Sequence, residues 1–128
     1  MSQVMSVPIL ICDDSSFARK QMNRSLPDNW DVEVTFATNG LEGLEAIRQG
    51  KGEVVFLDLT MPEMDGYGVL ENIRKEDLHA MVIVVSGDIQ PDAQARVQKL
   101  GAMAFVKKPI DKLKTTQILT EFGILSSE

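Results

Sequence analysis

One cysteine, one histidine, one tryptophan and one tyrosine stand among 128 residues, and acidic side chains outnumber basic ones 19 to 13. A lone thiol cannot close an internal disulfide, so Cys12 reads as a small core hydrophobe on a strand and the chain as intracellular. His79 has no second His or Cys near it, which argues for an exposed connecting segment and against zinc ligation. A net charge of −6 leaves little basic surface for a phosphate backbone and argues against direct nucleic-acid binding. Long apolar runs are missing as well. None approaches the roughly 20 residues of a membrane span. Val7 to Cys12, interrupted by Pro8, falls short of the roughly 7–15 apolar residues of a secretory signal. A soluble, cytoplasmic chain without membrane insertion is expected.

What is present suits one globular domain: 44% apolar and 25% charged residues. The core is expected over about residues 7–123, with short tails including Ser126 to Glu128, and at this length no staple is needed for stability. Four short apolar runs, Ile9–Cys12, Val54–Leu57, Met81–Val85 and Met103–Val106, read as strands covered on both faces. Val32 to Ala37 alternates instead, with Val32, Val34 and Phe36 set against Glu33, Thr35 and Ala37, which suits an edge strand with one wet face.

Helical spacing fills the intervals: Ala18, Met22 and Leu26; Leu41, Leu44 and Ile47; Leu70 and Ile73; Ala93, Val97 and Leu100. A weaker stripe spans Asp111 to Phe122. Gly50-Lys51-Gly52 and Gly101 mark helix ends, while Asp65-Gly66 and Gln90-Pro91 mark starts. Trp30 and most of the methionines read as packing. Strand and helix thus alternate five times, which predicts an α/β, doubly wound, five-stranded parallel sheet. With the alternating strand at one edge, the strand order is 2-1-3-4-5, the flavodoxin-like arrangement.

In such sheets ligands bind beyond the carboxyl ends of the strands, where the strand order reverses. The polar residues that follow the central strands are Asp13-Asp14, Asp58, Ser86 and Lys108. Clustered carboxylates in a partly desolvated pocket cannot all stay ionised without compensation. A divalent cation supplies it, and oxygen ligation with few protein carboxylates favours Mg²⁺, which commonly completes its shell with water and phosphate oxygens. A carboxylate so neutralised can accept a phosphoryl group as an aspartyl phosphate. Lys108 and the Ser86 hydroxyl are then placed to hold phosphoryl oxygens, since this transfer is catalysed mainly by positioning and charge.

These residues are where the chain resembles a known family, the receiver domains of two-component response regulators. The resemblance rests on Asp13-Asp14-Ser15 with Arg19, on Asp58-Leu59-Thr60-Met61-Pro62 with Asp65-Gly66, on Ser86-Gly87, and on Phe105-Val106-Lys107-Lys108-Pro109. It covers essentially the whole chain and is nearest to the stand-alone chemotaxis type, nothing after the final helix being long enough for an output domain.

The resemblance implies transfer from the phosphohistidine of a sensor histidine kinase, or from a phosphotransfer protein, to Asp58. It implies Mg²⁺ held by Asp14, Asp58 and the Thr60 carbonyl, with Asp13 assisting through a metal-bound water. It further implies a switch in which Ser86 moves toward the phosphoryl group and Phe105 turns inward, and a downstream protein target that reads the altered surface; it leaves open a phosphorylation-dependent dimer. Phe105 lacks the phenolic hydroxyl some relatives carry there, which removes any partner contact resting on it. Thr60 and Asp88 occupy positions that tune dephosphorylation in the family.

Three other readings compete. A phosphatase of the haloacid dehalogenase class usually carries a second Asp two residues after its nucleophile, where Thr60 stands. A flavin carrier would place hydroxyls after the first strand, where Asp13 and Asp14 would repel a flavin phosphate. A pseudo-receiver that never takes phosphate would not need the complete acidic set.

Overall fold

The computed structural model describes residues 6–87 and 90–125, so Asp88 and the tail from Ser126 lie outside the described residues. Strands β1 (Val7–Cys12), β2 (Val32–Ala37), β3 (Val54–Leu57), β4 (Met81–Ser86) and β5 (Ala104–Lys107) alternate with helices α1 (Ser16–Arg24), α2 (Gly40–Arg48), α3 (Gly66–Lys75), α4 (Pro91–Lys99) and α5 (Lys112–Glu121). The strands form one parallel sheet in the order β2-β1-β3-β4-β5, as the sequence predicts.

Alternation along the buried strands divides the core in two. Leu10, Cys12, Val55, Leu57, Val82 and Val84 meet the inner faces of α2, α3 and α4 through Ile47, Val69, Leu70 and Val97. Ile9, Ile11, Val54, Phe56, Ile83 and Val85 meet α1 and α5 through Met22 and Leu119, and Leu26 just beyond α1 joins them. Every residue of β3 is buried, which is why its sequence runs apolar without alternation.

The sheet edge departs from expectation in two places. Val32 and Val34 pack against the core beneath α1 and α5, but Phe36 reaches past it and is 48% exposed, while Ala37, on the opposite face, is buried. Leu41, in the first turn of α2 at the same edge, is exposed, although Leu44 and Ile47 on the same stripe are buried. Burial at an edge depends on which helix extends over it, and periodicity alone does not contain that.

Each helix starts close to the carboxyl end of the preceding strand. Ser15, Asn39, Asp65 and Asp111 cap α1, α2, α3 and α5 by accepting from Ala18, Glu42, Gly68 and Lys114 backbone N–H groups. Such caps are worth about 1 kcal/mol each, and they fix where the site loops turn. Gln90 precedes α4 without a side-chain cap, with Pro91 at its first turn. Gly66 lets α3 start directly against the end of β3: a Cβ there would strike the Asp58 carbonyl and the Leu59 Cα.

Candidate functional site

The carboxyl ends of β1 and β3 are neighbours in the sheet, so Asp13-Asp14 and Asp58 emerge side by side. The Asp58 N–H donates to the Cys12 carbonyl at 3.0 Å, and the Asp13 N–H donates to the Ala37 carbonyl at 3.0 Å. From the far side of the sheet, the Lys108 N–H donates to the Ser86 carbonyl at 2.8 Å, tying the end of β5 to the end of β4. Thus Asp13, Asp14, Asp58, Ser86 and Lys108 converge at one end of the sheet.

Oxygens of the Asp13, Asp14 and Asp58 carboxylates lie within 4.8 Å of one another. Asp13 and Asp58 are buried, and Asp14 is exposed at the mouth. Lys108 Nζ lies 2.9 Å from Asp13 Oδ2 and 3.4 Å from Asp58 Oδ1. Beneath them, on the α1 side, a cavity of about 30 Å³ touches Asp13, Asp58 and Lys108 and is walled by Gln21, Met22 and Ile110.

Burial raises the Asp58 carboxyl above the ordinary aspartate range, the Asp13 charge raises it further, and Lys108 only partly opposes them. Burial pulls the Lys108 ammonium down, but the hydrogen bond to Asp13 and the charge of Asp58 more than offset it, so its proton is held more tightly than usual. One ammonium therefore faces three carboxylates and leaves negative charge in excess. That excess, together with an all-oxygen donor set, fits a hard divalent cation such as Mg²⁺. Thr60 is exposed two residues after Asp58, on the loop leading to α3.

Ser86 is buried at the end of β4. Phe105 is half-buried in β5 beside Val84, and it lines a cavity of about 80 Å³ between α4 and β5 with Gln94, Val97 and Met103. Lys107 is exposed, and His79 is exposed in a connecting segment. Cys12 is fully buried. Burial, followed by the charges of Asp13 and Asp58, pushes its thiol up to about 12, as a core residue should behave.

Sequence reasoning assigned no role to two contacts. Arg19 Nη1 donates to the Asp13 carbonyl at 2.8 Å, and Cys12 Sγ lies 3.6 Å from Met61 Sδ beneath the acceptor loop. Arg19 was visible as part of the acidic-pair motif, but its target is a backbone atom that every residue carries.

Comparison with known proteins agrees with this geometry. The response regulator receiver domain model matches residues 9–120. The chain is 32% identical over 117 residues to chemotaxis protein CheY of Thermotoga maritima, covering 91% of this chain and 98% of that one. It is 36% identical over 115 residues to a protein-glutamate methylesterase/protein-glutamine glutaminase of Geobacter sulfurreducens, covering 89% of this chain but spanning only 30% of that protein. A solved CheX-CheY-BeF3-Mg complex from Borrelia burgdorferi superposes with a TM-score of 0.80 at 31% identity, over 89% of this chain and 87% of that one. The chain belongs to the response regulator receiver domain family, and it is a phosphorylation-accepting switch domain of two-component signalling.

Proposed function

We propose that Asp58 is the phosphoryl acceptor, that Asp13, Asp14, Asp58 and the Thr60 carbonyl hold Mg²⁺, and that Lys108 and Ser86 contact the transferred group. The observation that carries this reading is the meeting of three carboxylates and one ammonium at the switch point of the sheet. An Asp58 carboxylate oxygen attacks the phosphorus of a phosphohistidine. The P–O bond forms as the P–N bond breaks, and the imidazole leaves with a proton taken from solvent. When bound, Mg²⁺ supplies charge neutralisation to the acceptor and to the phosphoryl oxygens.

Lys108, already paired with two carboxylates, exchanges part of that pairing for a phosphoryl oxygen. The chain thereby assists its own phosphorylation and dephosphorylation without being an enzyme for an external substrate. Its donor is a sensor histidine kinase or phosphotransfer protein, and its output is a protein target or a phosphorylation-dependent dimer. We read the chain as one cytoplasmic receiver domain with its core at about residues 7–123; among the described residues, no helix is long and apolar enough to cross a membrane. The solved CheY relative bound with CheX, BeF3 and Mg supports a chemotaxis-type exchange with a partner protein.

The test is intact-mass measurement after incubation with acetyl phosphate and Mg²⁺. One added phosphoryl group is expected in wild type and none in Asp58→Asn. Equal labelling of the variant would move the acceptor elsewhere, and no labelling of wild type by either acetyl phosphate or a kinase panel would favour a pseudo-receiver.

A further inference from the structure

We infer that Arg19 is a positioning residue for the divalent-cation site, holding the Asp13–Asp14 peptide so that the Asp14 carboxylate is presented to the ion. The inference rests on the proposed reading of the acidic cluster as that site.

Asp13 is fixed at each of its polar atoms. Its N–H donates to the Ala37 carbonyl at 3.0 Å. Its Oδ1 accepts from the Ser15 N–H at 2.9 Å, its Oδ2 accepts from Lys108 Nζ at 2.9 Å, and its carbonyl accepts from Arg19 Nη1 at 2.8 Å. Asp14 differs: among the described residues no hydrogen bond reaches its carboxylate, which is exposed at the mouth of the cluster. The Cα–Cβ bond from which that carboxylate swings is therefore set by the backbone on which it hangs. The peptide joining the two aspartates is planar, so fixing the Asp13 carbonyl fixes the plane from which Asp14 departs.

Arg19 is itself restrained. It projects from the second turn of α1 and is half-buried there.

Electrostatics and positioning predict opposite signs, which makes the inference decidable. If Arg19 acted only through its charge, removing a cation near three carboxylates would tighten Mg²⁺ binding. If it acts by holding the carbonyl, its loss lets the Asp13–Asp14 peptide rotate and weakens binding, by roughly tenfold as for other groups that orient metal ligands.

The experiment is calorimetric Mg²⁺ titration of wild type, Arg19→Met, Arg19→Lys and Asp14→Asn, with acetyl phosphate labelling rates measured across Mg²⁺ concentration. Arg19→Met is expected to raise the Kd roughly tenfold and Arg19→Lys, which retains a donor, to recover most of it. The half-saturating Mg²⁺ should shift while the labelling rate at saturation stays near wild type. In metal-free protein, the carbonyl carbon resonance of Asp13 should move in Arg19→Met and return toward wild type in Arg19→Lys.

Tighter or unchanged Mg²⁺ binding in Arg19→Met, beside weakened binding in Asp14→Asn, would overturn the inference and leave the site intact. If Arg19→Met fails to fold, wild-type affinity together with a displaced Asp13 resonance in Arg19→Lys would overturn it equally. No Mg²⁺ binding by wild type would overturn this inference together with the proposed function.

Discussion

The ammonium of Lys108 donates to the Asp13 carboxylate at 2.9 Å, joining positions 95 residues apart in sequence. The same Nζ stands 3.4 Å from Asp58, so one cation is shared between the acceptor and its neighbour. Lys108→Met should slow labelling by acetyl phosphate roughly 10–100-fold, less than the loss of a fully buried oxyanion donor, because the side chain is partly solvated. Mg²⁺ affinity should hold or rise, since a competing positive charge is gone. Single-turnover labelling and calorimetry separate the two effects, and a weaker Mg²⁺ affinity with an unchanged labelling rate would contradict the assignment of Lys108 to the phosphoryl oxygens.

The raised Asp58 carboxyl makes the metal-free fold sensitive to pH. Above the ordinary aspartate value of about 3.9, the unfolded chain ionises first while the folded chain still holds its proton. Stability is therefore full below that value and is lost as pH rises through the folded value. Asp58→Asn removes the charge, so with chelator present the variant should be more stable than wild type at neutral pH and the gap should close on acidification. Urea melts at several pH values give the comparison; a gap that widens toward acid would mean the carboxyl is lowered.

Packing under the acceptor should be equally visible in Gly66→Ala. Its Cβ has no room beside the Asp58 carbonyl and the Leu59 Cα, backbone atoms that cannot swing aside. Overpacking of this kind costs about 1–3 kcal/mol, and because the clash falls on the acceptor's own peptide, labelling should slow as well. A urea midpoint and labelling rate equal to wild type would show that α3 shifts freely on β3.

Cys12 should be chemically silent. A fully buried thiol pushed up to about 12 has almost no thiolate near neutrality, and only the thiolate is nucleophilic. Iodoacetamide at pH 8 should leave the native protein unmodified while labelling it once in denaturant. Rapid native labelling would require β1 to open locally.

Much of this was legible in the sequence. β1, β3 and β4 were readable because strands covered on both faces need continuous apolar runs, and β2 because an edge strand alternates; β5 was read as covered on both faces, but it closes the other edge and of its residues only Val106 is buried. The acidic pair, Asp58, Ser86 and Lys108 were readable because each stands at or just beyond the carboxyl end of a strand, and the topology sends those ends to one place. What was not readable depends on partners rather than pattern. The exposure of Phe36 and Leu41 follows from where the helices stop, and the role of Arg19 follows from a hydrogen bond to a backbone carbonyl that leaves no mark in residue type.

Phosphorylation should alter the surface formed by α4, β5 and α5, about residues 91–122. Ser86 shares the parity of Val84 along β4, so it points to the face on which Phe105, the register partner of Val84, is packed. A Ser86 hydroxyl drawn toward a phosphoryl group on Asp58 frees space beside that ring, and the 80 Å³ cavity between α4 and β5 already borders it. A ring exchanging between its present half-buried position and that space would be a two-state element, and a ligand shifts such an equilibrium by its differential affinity for the two states. Burying a Phe side chain is worth about 1.5–3 kcal/mol, comparable with a typical coupling of about 1–3 kcal/mol, so the energy suffices to carry the signal. Beryllofluoride with Mg²⁺ should perturb amide shifts across residues 91–122 in wild type. In Ser86→Ala the perturbations should stay within the loops around Asp58 while phosphoryl acceptance persists. Perturbations confined to those loops in wild type would sever the acceptor from this surface.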